Sequence, residues 1–297
     1  MKRVNPLPTI LTLCNMICGF GSMTLAMRAT QYAALPDAAR TVAFNHKAAA
    51  GLIFLAMVFD VLDGRVARMA GLTSRFGAEL DSLSDIVSFG IAPAFLAKSM
   101  LDIGDWPPLV VRGGWMMLAL YVAAAAVRLA RYNVEAISPT DGKVGAKGKD
   151  YFVGLPSPAA AGMAVSPVLL YYLLTAKEED GFGIEAKWIL LFLPLLFLLM
   201  AWLMVSRVRY MHIGNKLFVG KQKLWAVMLV MVTLIIGASF WKIAGTVLFG
   251  GYVLGFLFWD LGRRARSART RRKMAVSGET SAPAGKEIAG RDGEESV

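Results

Sequence analysis

Residues 60–85 read DVLDGRVARMAGLTSRFGAELDSLSD and carry four aspartates, Asp60, Asp63, Asp81 and Asp85. The first pair is spaced i,i+3 and the second i,i+4, so on helices each pair shares one face. A helical hairpin would bring the two pairs together. Four carboxylates at short range beside a membrane cannot all stay charged without counter-charge. Divalent cations supply it, and carboxylate oxygens select Mg²⁺, Mn²⁺ or Ca²⁺ over zinc. Four carboxylates also suit two ions better than one.

The residues between them extend the idea. Gly64 follows Asp63, Ala67 lies one turn later, and Gly77 lies one turn before Asp81. All three leave room for a ligand against a helix. Arg68 offers a planar fork that fits phosphate oxygens, and Ser74 offers a hydroxyl. Metal ligands, small residues and an arginine together describe a pyrophosphate site. A single aspartate at a helix end is ordinarily a cap or a hydrated headgroup neighbour. Four at these spacings, interleaved with Gly and Arg, are not accounted for in that way.

The elements that must position these residues are membrane helices. The chain has 297 residues, 56% of them hydrophobic, and the apolar ones lie in long runs. A hydrocarbon core of about 30 Å takes about 20 residues of helix. Eight spans are expected, near 8–27, 45–63, 83–101, 114–132, 155–175, 187–206, 223–240 and 243–261. The fold class is then all-α, a polytopic helical bundle, because lipid cannot satisfy an open backbone. The opening Met-Lys-Arg and its apolar run read as the first span rather than a cleaved leader.

The net charge of +11 would suggest nucleic acid in a soluble chain, but here its distribution matters more. With eight spans, 24 of the 32 Lys and Arg fall on the side of the two termini. That bias places both termini in the cytoplasm. Residues 1–262 form the membrane domain. Residues 263–297 form a tail, first basic and then polar and disordered. The basic part is either a topogenic signal or an anchor on anionic headgroups. Cys14 and Cys18 read as small apolar filler. His46 and His212 stand alone and are expected to be merely hydrated. Trp106, Trp115, Trp188, Trp241 and Trp259 fall at span ends as interface anchors.

The spacing of Asp60, Asp63, Gly64, Ala67, Arg68, Gly77, Asp81 and Asp85 resembles the signature of the CDP-alcohol phosphatidyltransferases, D-x2-D-G-x2-A-R-x8-G-x3-D-x3-D, at all eight positions. The resemblance implies an enzyme whose first three aspartates bind metal, Mg²⁺ or Mn²⁺. The fourth, Asp85, binds metal and serves as general base. It implies that CDP-diacylglycerol lies with its pyrophosphate on the metals, against Gly64, Ala67, Arg68, Ser74 and Gly77. An alcohol then attacks the β-phosphorus and CMP leaves. It also implies a homodimer in the cytoplasmic membrane.

The flanks look like the branch of that family whose acceptor is L-serine. They include Asn15 and Gly19, Ser88-Phe-Gly90, Arg128-Leu-Ala-Arg131-Tyr-Asn133 and Tyr151 to Pro158; Thr9 departs from the Asn that many relatives carry after the proline. Arg128 and Arg131 are candidates to meet the carboxylate of serine and Asn133 its ammonium, or they are simply positive-inside anchors with a neighbour. Tyr151 to Pro158 is expected as a re-entrant or helix-start segment, or as a simple turn. Glycerol 3-phosphate or inositol phosphate would be other acceptors within the family. A cation transporter is a reading from a different class, disfavoured because all four aspartates sit near one membrane face rather than at the midplane.

Overall fold

The computed structural model of the chain describes residues 6–69, 75–104, 106–137, 151–175, 183–206 and 209–211, with glycines 250, 251 and 255. Seven α-helices occupy the described residues: α1 (Pro6–Tyr32), α2 (Ala39–Met69), α3 (Arg75–Asp85), α4 (Ala92–Ile103), α5 (Pro108–Ile137), α6 (Ser157–Thr175) and α7 (Gly183–Val205). A π-helical turn, Ile86–Ile91, joins α3 to α4. Five segments are long and apolar enough to cross a membrane: Pro6–Tyr32, Phe76–Ile103, Pro108–Val134, Ser157–Thr175 and Trp188–Val205. Five of the first six expected spans fall on these segments; the second, 45–63, falls on α2, which is not among the five. The seventh and eighth, the tail after residue 262, His212, Trp241 and Trp259 lie outside the described residues. The chain divides into two compact units, Met1–Leu257 and Phe258–Val297, and the second also lies outside them.

Helix α1 is inside-out relative to a helix of a water-soluble protein. On α1 the buried positions are Thr12, Asn15, Cys18, Gly19, Ser22, Ala26 and Ala29. Ile10, Leu13, Ile17 and Phe20 point outward, Ile17 and Phe20 being 67% and 66% exposed. Small and polar side chains turned inward, with large apolar ones outward, is the arrangement lipid imposes. It also lets helices approach closely. A Cβ on Gly19 would meet the Ser88 backbone at 2.7 Å, so α1 lies against the π-turn only because that position is glycine. Cys14 and Cys18 are free thiols on this helix, consistent with filler.

The π-turn has a local cause. Pro93 has no N–H to give the Phe89 carbonyl four residues earlier, and its ring crowds that carbonyl. The helix widens there instead of breaking, as π-turns allow. The buried Tyr121 hydroxyl donates to the Phe89 carbonyl at 2.8 Å. Tyr121 in turn packs edge-on against Phe197, ring centres 4.9 Å apart, which ties the turn to α5 and α7.

A two-stranded antiparallel ribbon was not expected from the sequence. Strand β1 (Tyr151–Val153) pairs with β2 (Arg209–Met211), Phe152 opposite Tyr210. The ribbon and the bond from Leu155 N–H to the Leu203 carbonyl, 3.2 Å, hold the start of α6 beside the end of α7. Gly154 makes the turn between them with φ +85°, and a Cβ there would strike the Met204 carbonyl at 2.4 Å. Residues 151–158 are therefore a strand, a turn and a helix start. Pro156 precedes α6 and Pro158 sits in its first turn, where proline is tolerated.

His46 departs from the expectation of a hydrated residue. It is 1% exposed and lies between Tyr172, whose hydroxyl meets Nδ1, and Ser99, whose Oγ is 2.8 Å from Nε2. Ser99 Oγ donates to the Ala26 carbonyl at 2.7 Å. His46, isolated in the sequence, is thus the centre of a network joining α1, α2, α4 and α6.

Candidate metal and phosphate site

The carboxylates of Asp60 and Asp63 come from the last turns of α2, and that of Asp81 from α3. Their oxygens lie within 4.8 Å of one another. The expected convergence of the two pairs is present for these three. Asp85 stands outside that group, one turn beyond Asp81 on the same helix. It is 9% exposed and accepts a hydrogen bond from Asn15 Nδ2 at 3.3 Å. Asp63, 4% exposed, accepts from Thr12 Oγ1 at 2.8 Å.

The donor set fits a hard divalent cation. Every converging ligand atom is a carboxylate oxygen. Asp81 Oδ1 is buried and, among the described residues, has no hydrogen-bond partner. An ionised carboxylate oxygen left that way is strongly unfavourable unless a cation meets it. Gly64 and Gly77 are partly exposed and flank the trio from α2 and α3; Ala67 lies in the following turn of α2. Arg68 lies in α2, but its side chain and the whole of Ser74 are outside the described residues.

Other elements converge on the same end of the bundle. Arg128 Nη1 donates to Ser157 Oγ at 2.7 Å, at the first residue of α6. Arg131 Nη1 donates to the Val205 carbonyl at 3.3 Å, the exposed end of α7, where a cation is favoured. Asn133 accepts from Ser82 Oγ at 3.1 Å and donates to Glu79 Oε2 at 3.3 Å, which joins α5 to the helix that bears Asp81. The three flank residues singled out in the sequence thus tie α5 to other helices: Arg128 to the start of α6, Arg131 to the end of α7 and Asn133 to α3.

Sequence reasoning gave Thr12 no role and named Asn15 only as part of a resemblance. The missed signal was their spacing, since residues 12, 15, 19 and 22 form one helical face of small and polar residues within an apolar span.

The family model for CDP-alcohol phosphatidyltransferase matches residues 5–200. The chain belongs to the CDP-alcohol phosphatidyltransferase family. Among curated relatives, the CDP-diacylglycerol–serine O-phosphatidyltransferase of Mycobacterium tuberculosis is 44% identical over 138 residues, which is 46% of this chain and 43% of the relative. Proteins of the same name from Helicobacter pylori and Saccharomyces cerevisiae are 36% identical over 162 residues and 38% identical over 166. These cover 54% and 56% of this chain, and 58% and 54% of the relatives. The chain spans about half the length of the curated relatives it matches.

Proposed function

We propose that this chain transfers the phosphatidyl group of CDP-diacylglycerol to L-serine, giving phosphatidylserine and CMP. The observation that carries the reading is the convergence of Asp60, Asp63 and Asp81 in a chain of this family, with Asp85 one turn away. The acceptor is inferred from the relatives' shared name and from the flanks of the motif. Asp60, Asp63, Asp81 and Asp85 would hold Mg²⁺ or Mn²⁺, two ions per site. Bound there, the ions would neutralise charge on the pyrophosphate and the departing CMP.

The chain's own residues do the rest. Asp85 takes the proton of the serine hydroxyl, the freed oxygen bonds to the β-phosphorus, and the bond from that phosphorus to the CMP oxygen breaks. Gly64, Ala67 and Gly77 let the nucleotide lie against the helices, and Arg68 and Ser74 hold its phosphates. Arg128 and Arg131 receive the carboxylate of serine, and Asn133 its ammonium. The first two already lie at this end of the bundle, and Asn133 is bonded to α3.

In this reading the protein is a multi-pass protein of the cytoplasmic membrane, with eight spans, both termini inside and the site facing the cytoplasm. It works as a homodimer. Residues 1–262 are the catalytic domain, and the basic tail beyond lies on the headgroups. A site at one end of the bundle suits a donor with a water-soluble head and two acyl chains.

The test is an acceptor screen. Purified protein with CDP-diacylglycerol and Mg²⁺ or Mn²⁺ is given L-serine, glycerol 3-phosphate, inositol phosphate or no acceptor, and CMP is followed. Release with serine alone, abolished by chelation, is expected. Release with another acceptor only would keep the chemistry and discard serine.

A further inference from the structure

Two residues of α1 touch the carboxylates without belonging to the family motif. Thr12 Oγ1 lies 2.8 Å from Asp63 Oδ2 and 3.0 Å from the Pro8 carbonyl. A hydroxyl has one proton, and the nearer, charged acceptor binds it more strongly. Thr12 therefore donates to Asp63. Asn15 is fully buried and presents Nδ2 to Asp85 Oδ1 at 3.3 Å. The opposite amide orientation would set two oxygens against each other, so the carboxylate fixes the amide.

The backbone of α1 is held in register at the same place. Ser84 Oγ donates to the Thr12 carbonyl at 2.9 Å, and Ser84 sits between Asp81 and Asp85. Gly19 allows α1 to close on Ser88 one turn further along. Thr12 and Asn15 are thus locked at fixed height beside Asp63 and Asp85, one on α2 and one on α3. Each donor occupies one named oxygen of its carboxylate. That limits rotation of the carboxylate and fixes which edge it turns to a ligand.

We infer that Thr12 and Asn15 are positioning residues, a layer on α1 that sets the orientation of Asp63 and Asp85 and so tunes the cation affinity of the site. The inference rests on the metal-binding reading proposed above. Residues that orient metal ligands are typically worth about 10- to 100-fold in affinity or activity. Neither side chain is assigned contact with substrate.

The test reads cation binding without substrates. Mn²⁺ binding to the purified full chain in detergent is measured by the loss of the free-ion electron paramagnetic resonance signal, with no nucleotide and no alcohol present. Thermal unfolding in chelator is recorded in parallel. Thr12→Val, which keeps the shape and removes the donor, is expected to weaken Mn²⁺ binding about 10- to 100-fold, with unfolding in chelator little changed. Thr12→Ser, which restores the donor, is expected to bind as the wild type does. Asn15→Leu reads the second tether on the same assay and keeps the test decisive should Thr12→Val fail to fold. Wild-type affinity in both Thr12→Val and Asn15→Leu would overturn the inference, as would equal losses in Thr12→Val and Thr12→Ser. If the wild type itself binds no Mn²⁺ and releases no CMP, the metal-binding reading falls too. If the wild type does both and the variants bind normally, only the positioning role falls.

Discussion

Two polar clusters share helices α1 and α2 and are built on opposite rules. Around Asp60, Asp63, Asp81 and Asp85, acceptors crowd together, and Asp81 Oδ1 has no hydrogen-bond partner among the described residues. Around His46 every proton has a place. Ser99 spends its one proton on the Ala26 carbonyl, so it accepts from His46 Nε2–H. Nδ1 is then the bare nitrogen and accepts from Tyr172. His46 and Asp63 are seventeen positions apart on α2, about 25 Å of helix rise. A closed donor chain needs nothing from outside and fastens helices together. An acceptor surplus leaves room for a cation, which is the reading proposed above. On that reading, the difference would separate a structural histidine from a metal-holding carboxylate; burial separates them less cleanly, since Asp63 and Asp85 are buried like His46 while Asp60 and Asp81 are partly buried.

The comparison breaks most visibly at Asp85. Asp85→Asn keeps the size and the neighbour Asn15 but cannot take a proton. Turnover with serine should fall about 10²- to 10⁴-fold, the usual worth of a general base, while CDP-diacylglycerol binding is largely retained. Single-turnover kinetics alongside a liponucleotide binding assay would separate the two. Undiminished turnover would mean that the carboxylate surplus is as structural as the histidine network.

The mirror experiment is His46→Leu. It leaves the Tyr172 hydroxyl without its acceptor and takes the His46 donor from Ser99, which keeps the Ala26 carbonyl, so stability should drop by about 1–3 kcal/mol, read as earlier thermal unfolding in detergent. Turnover below the melting range should stay near wild type. Adding Tyr172→Phe removes one orphaned hydroxyl, and the double variant should be less destabilised than the two single losses added together. Collapse of turnover in a folded His46→Leu protein would join the two clusters into one functional unit.

The two clusters also differ in how readily the sequence gives them up. The aspartates are local: two pairs at helical spacing within one stretch, so spacing alone predicts shared faces and a converging hairpin. The histidine network draws on residues 26, 46, 99 and 172, one from each of four helices. No local pattern links them, and a lone His reads as hydrated. The spans show the same contrast. Five apolar runs fell on segments long enough to cross a membrane, a length lipid dictates; the run at 45–63 fell on α2, and α2 and α3 both extend beyond the expected span ends, where the aspartates stand. The β1–β2 ribbon gave no signal, being three residues from each of two distant loops. Thr12 and Asn15 were readable as a polar face on α1, but which carboxylate each would meet depends on how α1 packs against α2 and α3.

The smallest effect is the most local. Tyr121→Phe removes the donor to the Phe89 carbonyl and should cost about 1 kcal/mol, a modest shift in thermal unfolding with turnover retained. The reason lies in Pro93, which denies that carbonyl its helical partner. Pro93→Ala restores an N–H at the fourth position, so the carbonyl no longer depends on Tyr121. In a Pro93→Ala background the Tyr121→Phe loss should therefore shrink, a coupling that a double-mutant cycle measures directly. An unchanged loss in both backgrounds would mean that Tyr121 stabilises the bundle through its ring on Phe197 alone. The π-turn just beyond Asp85 would then owe nothing to the hydroxyl, and its shape would rest on Pro93 and the close approach of Gly19.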